Sequence, residues 1–295
     1  MERVTFFKGH GLGNDYVALR LAGLPFSLTP PAVRLLCDRH TGVGSDGVLA
    51  FVPADAAEFG VRIFNPDGSE AEKSGNGLRI FAAYLLENGA VQVGAPFTVE
   101  TPGGVVTILV RGASEEGVLD VEVEMGTASF RSEAVGMTGP DRDTDAEVLE
   151  LPAGDRMDVT AVSIGNPHCV VFEDVVDEDD MRRRAPQIST HASFSRGTNV
   201  QFARVVGTGA VEAWVWERGA GETLASGSSA CAVAAAAVRR GLVTEREVEV
   251  RMPGGTLHVV VREDWGLVLR GPVEGVYAGT LAEGMVRRLR GLSWP

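Results

Sequence analysis

Cysteine is scarce in this chain of 295 residues. Cys37, Cys169 and Cys231 are scattered and odd in number, which excludes a disulfide framework and points to a reduced compartment. They have no metal-ligand spacing, and the five histidines (His10, His40, His168, His191, His258) form no local cluster, so a metal-free protein is expected. Long apolar runs are missing: none approaches the ~20 residues a membrane span needs. Met1 to Lys8 does not read as a signal peptide. Basic charge is short as well, with 27 Lys and Arg against 40 Asp and Glu, a net charge of −13 and a pI near 4.9. That balance argues against nucleic acid or an anionic membrane as partner. A cytoplasmic protein acting on a small molecule is the expectation.

Glycine, by contrast, is abundant at 37 residues, and much of it recurs in a pattern. The stretch F-N-P-D-G-S-E-A-E-K-S-G-N-G at Phe64 to Gly77 opens into the apolar run Leu78 to Leu86. W-E-R-G-A-G-E-T-L-A-S-G-S-S at Trp216 to Ser229 opens into an Ala-rich run in the same way. Ser74 and Ser226 lie 152 residues apart, and the same offset places Gly13-Asn14 on Gly165-Asn166, Asn65 on Glu217, and Gly89 on Gly241. One residue of slippage later, Pro102-Gly103-Gly104 meets Pro253-Gly254-Gly255. Solenoid repeats are far shorter, so this is a doubled domain. With 44% apolar content the chain suits two domains of ordinary size. Related halves meeting across a cleft would offer a ligand site there.

In chain order, Val4 to Lys8 reads as a strand, and G-H-G-L-G-N-D (Gly9 to Asp15) as a Gly-rich loop without the G-x-G-x-x-G spacing of a dinucleotide site. Thr29-Pro30-Pro31 starts a helix through Cys37. T-G-V-G-S-D-G (Thr41 to Gly47) is a second Gly-rich loop before the apolar Val48 to Val52. A strand from Val61 delivers Asn65. Phe97 to Glu100, Val105 to Val110 and Leu119 to Met125 alternate or are β-branched, as half-buried strands are. Gly136 to Asp158 reads as an acidic connector with weak strands. The second half starts at Val159 to Val171. Asp177 to Arg184 is expected to be a surface helix, with strands at Asn199 to Val206 and Val211 to Trp216. After the Ser226 helix come Val248 to Met252, Thr256 to Val261, Leu267 to Leu269, Val276 to Ala278 and a short helix near Glu283 to Arg290. Each half thus has one long apolar helix that should be buried all round. The expected class is α/β (α+β): two pseudo-symmetric domains, each a mostly antiparallel, barrel-like sheet wrapped around a central helix. The expected boundaries are 1–126 with the tail 275–295, and 127–274.

The motifs H-G-L-G-N-D (His10 to Asp15), F-N-x-D-G-S-E (Phe64 to Glu70), G-N-P-H (Gly165 to His168), E-R-G-A-G-E-T (Glu217 to Thr223) and P-G-G (Pro253 to Gly255) span nearly the whole chain. Together they resemble diaminopimelate epimerase, of the cofactor-independent amino-acid racemase family. The resemblance implies no cofactor, an active site in the interdomain cleft, a tail that returns to the first domain, and a homodimer. It also implies inversion of an α-carbon by two groups, one removing a proton and one returning it, in lysine and peptidoglycan precursor synthesis. In the family both are cysteines at helix starts, where a thiol's pKa of about 8.5 is lowered. Here those positions are Ser74 and Ser226. By the resemblance Asn14, Asn65, Asn166 and Asn199 hold the substrate's distal end, and Glu217 and Arg218 grip its ammonium and carboxylate. Gly75, Asn76, Gly227 and Ser228 would present amides to the α-carboxylate, with His168 in support.

A serine hydroxyl is a poor base without an activating neighbour, and none is evident in sequence beside either position. Three explanations compete: deliberate Cys-to-Ser changes that trap substrate, a natural paralogue that binds an amino acid or related metabolite without epimerising it, or a one-base isomerisation or elimination using Asp67, Glu70, Glu72 or His168. Each residue also has a plain reading. Asn14 and Asn199 alone are turn formers, Glu217-Arg218 a solvated pair, and the two serines N-caps. Their joint placement in the repeat is what favours a site.

Overall fold

The computed structural model describes residues 3–152 and 154–292; the last three residues of the expected tail, 293–295, lie outside that range. The chain divides into two units, one comprising the residues up to Val123 with those from Gly271, the other Glu124–Arg270. No helix among the described residues is long and apolar enough to cross a membrane.

Unit 1 contains β1 (Thr5–Gly11), β2 (Asn14–Arg20), α1 (Pro30–Cys37), β3 (Val48–Val52), β4 (Phe59–Phe64), β5 (Glu70–Ala71), α2 (Gly75–Glu87), β6 (Phe97–Thr101), β7 (Gly104–Ala113) and most of β8 (Leu119–Thr127). Unit 2 contains α3 (Ser132–Val135), β9 (Glu147–Glu150), β10 (Arg156–Ser163), β11 (Pro167–Phe172), α4 (Glu178–Ser189), β12 (Asn199–Gly207), β13 (Ala210–Glu217), β14 (Gly221–Thr223), α5 (Gly227–Arg239), β15 (Glu247–Met252) and β16 (Gly255–Val261). The strand β17 (Gly266–Thr280) contributes to both, and α6 (Glu283–Gly291) belongs to unit 1.

The duplication is written into the strand registers. In unit 1, β2 pairs in parallel with β3 (Val17 opposite Val48) and β3 antiparallel with β4 (Val48 opposite Phe64). The residues 152 positions on pair in the same way: Cys169 opposite Val200, and Val200 opposite Trp216. Phe64 faces Glu70 as Trp216 faces Glu222. Past the central helix the offset slips to 151, as the P-G-G motifs require: Val99 opposite Val106 becomes Val250 opposite Leu257. In unit 1, β1 pairs with both β2 and the later part of β17, and β17 pairs with β8, so the sheet closes on itself. The mixed α/β class and the barrel with a central helix are as expected from the sequence.

The central helices are buried because their composition leaves them no polar face. Every residue of α2 from Gly75 to Leu85 is buried, and the Ala-rich α5 is buried from Ser229 to Ala237. Small residues let strand and helix approach closely. A Cβ on Gly9 would stand 2.9 Å from the Glu274 carbonyl and 3.3 Å from Ile80 of α2. A second cluster in unit 1 packs Val33 and Leu36 of α1 with Val17, Leu19, Val286 and Leu289, so α6 is held by its apolar face.

The structure departs from the sequence reading at four places. Gly9 to Asp15 is not a loop: Gly9–Gly11 ends β1, Asn14 begins β2, and only Leu12 (φ 54°) and Gly13 (φ 86°) turn, as the two positive-φ centres of a tight hairpin. The runs at Leu267 and Val276 are one strand, β17, which pairs with β16 before Gly271 and with β1 after Val273. Pro272, lacking an N–H, sits where the strand changes partner. The helix starting at Asp177 is longer than expected and not wholly superficial, since Met181, Ala185 and Ile188 enter the core of unit 2. The short α3 had no sequence signal beyond a left-handed glycine, Gly136, at its end.

Candidate functional site

In unit 1 the strand β2 and the start of α2 converge. Ser74 is the N-cap of α2, extended at φ −141° and ψ 118°, and its Oγ accepts the Gly77 N–H at 3.0 Å. The helical ladder begins with Leu78 N–H to the Ser74 carbonyl. The N–H groups of Gly75 and Asn76 therefore precede it, at the positive end of the helix dipole, where an anion is favoured. The Tyr16 hydroxyl lies 3.4 Å from Ser74 Oγ. Asn76 is buried, receives Arg79 Nη2 on its Oδ1 at 2.7 Å, and donates to Asn14 Oδ1 at 3.2 Å. Asn14 donates in turn to Asp46 at 3.2 Å. Asn65 is half-buried at the end of β4 and donates to Ser69 Oγ at 3.0 Å.

Beneath these lies Asp15, buried between Lys8 Nζ at 2.8 Å and the Arg39 guanidinium, also at 2.8 Å. Burial alone would raise its carboxyl. The hydrogen bonds from Arg39 and Lys8 outweigh that and hold it at about 2.

Unit 2 repeats the arrangement with different chemistry. Ser226 begins α5 but makes no side-chain cap bond, so the N–H groups of Gly227, Ser228 and Ser229 all precede the ladder, which starts at Ala230. Burial raises the pKa of Glu217 and the nearby Ser226 partly offsets the rise. Asn199 is buried with both ends of its amide engaged: Nδ2 donates to the Pro167 carbonyl at 2.9 Å and Oδ1 accepts the Arg218 N–H at 3.0 Å. It thereby fixes the backbone from which the exposed Arg218 projects; that side chain also donates to the Arg196 carbonyl at 2.8 Å. Asn166 is half-buried, with Oδ1 3.0 Å from His168 Nε2. His168 is fully buried, with Nδ1 3.1 Å from Gln201, which also donates to Ser229 Oγ at 2.9 Å. Desolvation pushes its imidazole down to about 3, so it is neutral at physiological pH.

Tyr16 stands beside Ser74, and Glu217 lies near enough to Ser226 for the serine to lower its carboxyl. The signal for Tyr16 was in the repeat: it follows Asn14 by the spacing at which His168 follows Asn166. Asp46 lay unrecognised in the second Gly-rich loop, and Arg79 in an otherwise apolar helix. Of the acids weighed as lone bases, Asp67 accepts the Ser69 N–H and hydroxyl in a surface turn, and Glu70 is paired with Arg62 at 2.7 Å. Both have carboxyls lowered by those bonds, Ser69 to Asp67 and Arg62 to Glu70, the opposite of what a proton acceptor needs.

A family model described as diaminopimelate epimerase matches residues 6–131 and 160–276. The chain is 42% identical over 280 residues to diaminopimelate epimerase 2 of a Nostoc species, covering 95% of this chain and 96% of that protein. It is 43% identical over 281 residues to diaminopimelate epimerase of Desulforudis audaxviator, covering 94% and 98%. Among solved structures, a hydroxyproline epimerase from Agrobacterium vitis matches with a TM-score of 0.70 over 95% of this chain and 93% of that one, at 15% identity, which is a likeness of fold.

Proposed function

This chain belongs to the diaminopimelate epimerase family, and from that premise we propose that it takes LL- or meso-diaminopimelate, with Ser74 and Ser226 at the two proton-transfer positions. The observation that carries the proposal is identity above 40% along nearly the whole chain to two proteins of that name. In each unit the N–H groups ahead of the central helix's ladder, α2 or α5, are suited to a substrate α-carboxylate and would oppose the charge that builds as the α-proton leaves. Asn14, Asn65, Asn166, Glu217 and Arg218 supply donors, acceptors and both signs of charge for a second amino-acid end, with Asn199 holding Arg218 in place.

Turnover is another matter. Abstraction of an α-proton needs a base, and a serine hydroxyl is far weaker in that role than a thiolate. Ser74 Oγ is in addition occupied as a cap acceptor. The proposed reading is therefore a family site silenced at its two proton-transfer positions. A second reading, one-base isomerisation, is favoured by one residue: Glu217 lies near Ser226, and burial raises its pKa towards that of a useful base. Glu217 is better suited to that role than Asp67 or Glu70, whose carboxyls are lowered by their bonds. Assembly as a homodimer in the cytoplasm completes the proposal, and sedimentation of the purified protein tests the assembly.

α-Proton exchange of LL-diaminopimelate in D₂O, followed by NMR, separates the readings. With Ser74→Cys and Ser226→Cys together, exchange and inversion should appear; the unchanged chain should show neither. Exchange by the unchanged chain that is abolished by Glu217→Gln would establish the second reading. Absence of exchange in both chains, with no calorimetric binding of either isomer, would sink the diaminopimelate proposal.

A further inference from the structure

Four side chains of unit 1 form a polar chain whose direction is dictated from both ends. Arg79, fully buried on α2, donates to Asn76 Oδ1 at 2.7 Å; Asn76 donates to Asn14 Oδ1 at 3.2 Å; Asn14 donates to Asp46 Oδ2 at 3.2 Å. A guanidinium can only donate and a carboxylate can only accept. Flipping either amide would set N–H against N–H or oxygen against oxygen, and flipping both would do so at the two ends. The orientation of both asparagines is thus forced by their partners rather than chosen.

Both ends are themselves anchored. Asp46 Oδ1 accepts from Arg39 at 2.7 Å and Oδ2 from the Asp15 N–H at 3.1 Å, while the Asp46 N–H returns to Asp15 Oδ1 at 3.0 Å. At the other end, a Cβ on Gly11 would stand 2.9 Å from Arg79 Nη2, so a residue without a side chain leaves the guanidinium its place. The two Gly-rich stretches, Gly9 to Asp15 and Thr41 to Gly47, meet in this one network.

We infer that Arg79 and Asp46 are positioning residues that set the amide polarity of Asn76 and Asn14. They thereby fix on which side Asn14 offers its remaining N–H and its remaining lone pair to a zwitterionic ligand. An unheld asparagine can present either group at either place and discriminates poorly between ammonium and carboxylate. Held from both ends, it has one sense. The identity of the ligand rests on the diaminopimelate reading; the relay does not.

The relay has a signature that a purely structural role lacks. Either end alone still imposes the same polarity, so Arg79→Met or Asp46→Ala singly should weaken diaminopimelate binding only a few-fold by calorimetry. The double variant loses both constraints and should bind about tenfold more weakly than the product of the single effects predicts, although the two residues do not touch in the chain of bonds. Arg79→Lys, a donor-only replacement, should restore most of that excess in the Asp46→Ala background, while thermal unfolding stays additive. Losses that simply multiply would overturn the inference. A ligand-free measurement stands beside it: the side-chain amide protons of Asn14 and Asn76 in the unchanged protein should exchange with solvent far more slowly than those of a free asparagine. Fast exchange at both would also overturn the relay. Slow exchange without any diaminopimelate binding would leave the relay standing and remove only the ligand assignment.

Discussion

At the scale of single residues, burial and partner decide what each ionisable group does. His168 has a folded pKa of about 3 against an ordinary 6.5. Below 6.5 the unfolded chain takes up a proton that the native state refuses, so the His168 contribution is intact above 6.5 and drains away as pH falls towards 3. His168→Gln should flatten the loss of stability between pH 6.5 and 4.5, measured by urea unfolding. An unchanged slope in the variant would assign that loss to other groups. Asp15 works in a lower window: with its carboxyl held at about 2 against 3.8, its stabilisation is present above 3.8 and lost between 3.8 and 2. Glu217 has the opposite sign. Its raised pKa means the native state keeps a proton longer than the unfolded chain, so stability declines as pH rises from 4.5 through the raised value. Because Ser226 lowers that pKa, Ser226→Ala should move the Glu217 titration further up, as seen by carboxyl ¹³C NMR.

At the scale of elements, the two helix starts are equivalent in sequence and different in bonding. Ser74 caps α2 through its side chain, whereas Ser226 makes no side-chain cap bond to α5. Ser74→Ala should therefore cost about 1 kcal/mol from the lost cap. The corresponding change at 226 forfeits no cap bond, so its cost should be smaller; equal losses in thermal unfolding would contradict the asymmetry. The approach of β1 to its neighbours is equally specific. Gly9→Ala places a methyl group 2.9 Å from a backbone oxygen and 2.9 Å from the Phe7 ring. Backbone cannot yield as a flexible side chain can, so a loss of about 1–3 kcal/mol is expected.

At the scale of the whole molecule, the same small architecture occurs twice, each copy built on a helix buried along nearly its entire length. Helices so placed open only with large-scale unfolding. Hydrogen exchange should therefore be slowest in α2 and α5, and faster in α4 and α6, which bury only one face. Exchange in α2 as rapid as in α6 would contradict its place in the core of the barrel.

The sequence alone determined the duplication, the central helices, the strand alternation and the candidate residues at both helix starts. All of these are short-range signals: a hydroxyl before an apolar run, a P-G-G turn, β-branched alternation, and a family's motifs in order. The extra evidence of a repeat made each weak signal count twice. Tertiary structure alone decided which partners those residues meet. Tyr16 meets Ser74 across 58 positions, Asn76 meets Asn14 across 62, and Asn14 meets Asp46 across 32. It likewise made one strand of β17 despite Pro272, by changing the strand's partner there. The physical reason is common to all of them. Hydrogen bonds between distant side chains depend on strand register and on the closure of the sheet, and these are fixed by the packing of the entire barrel around its helix.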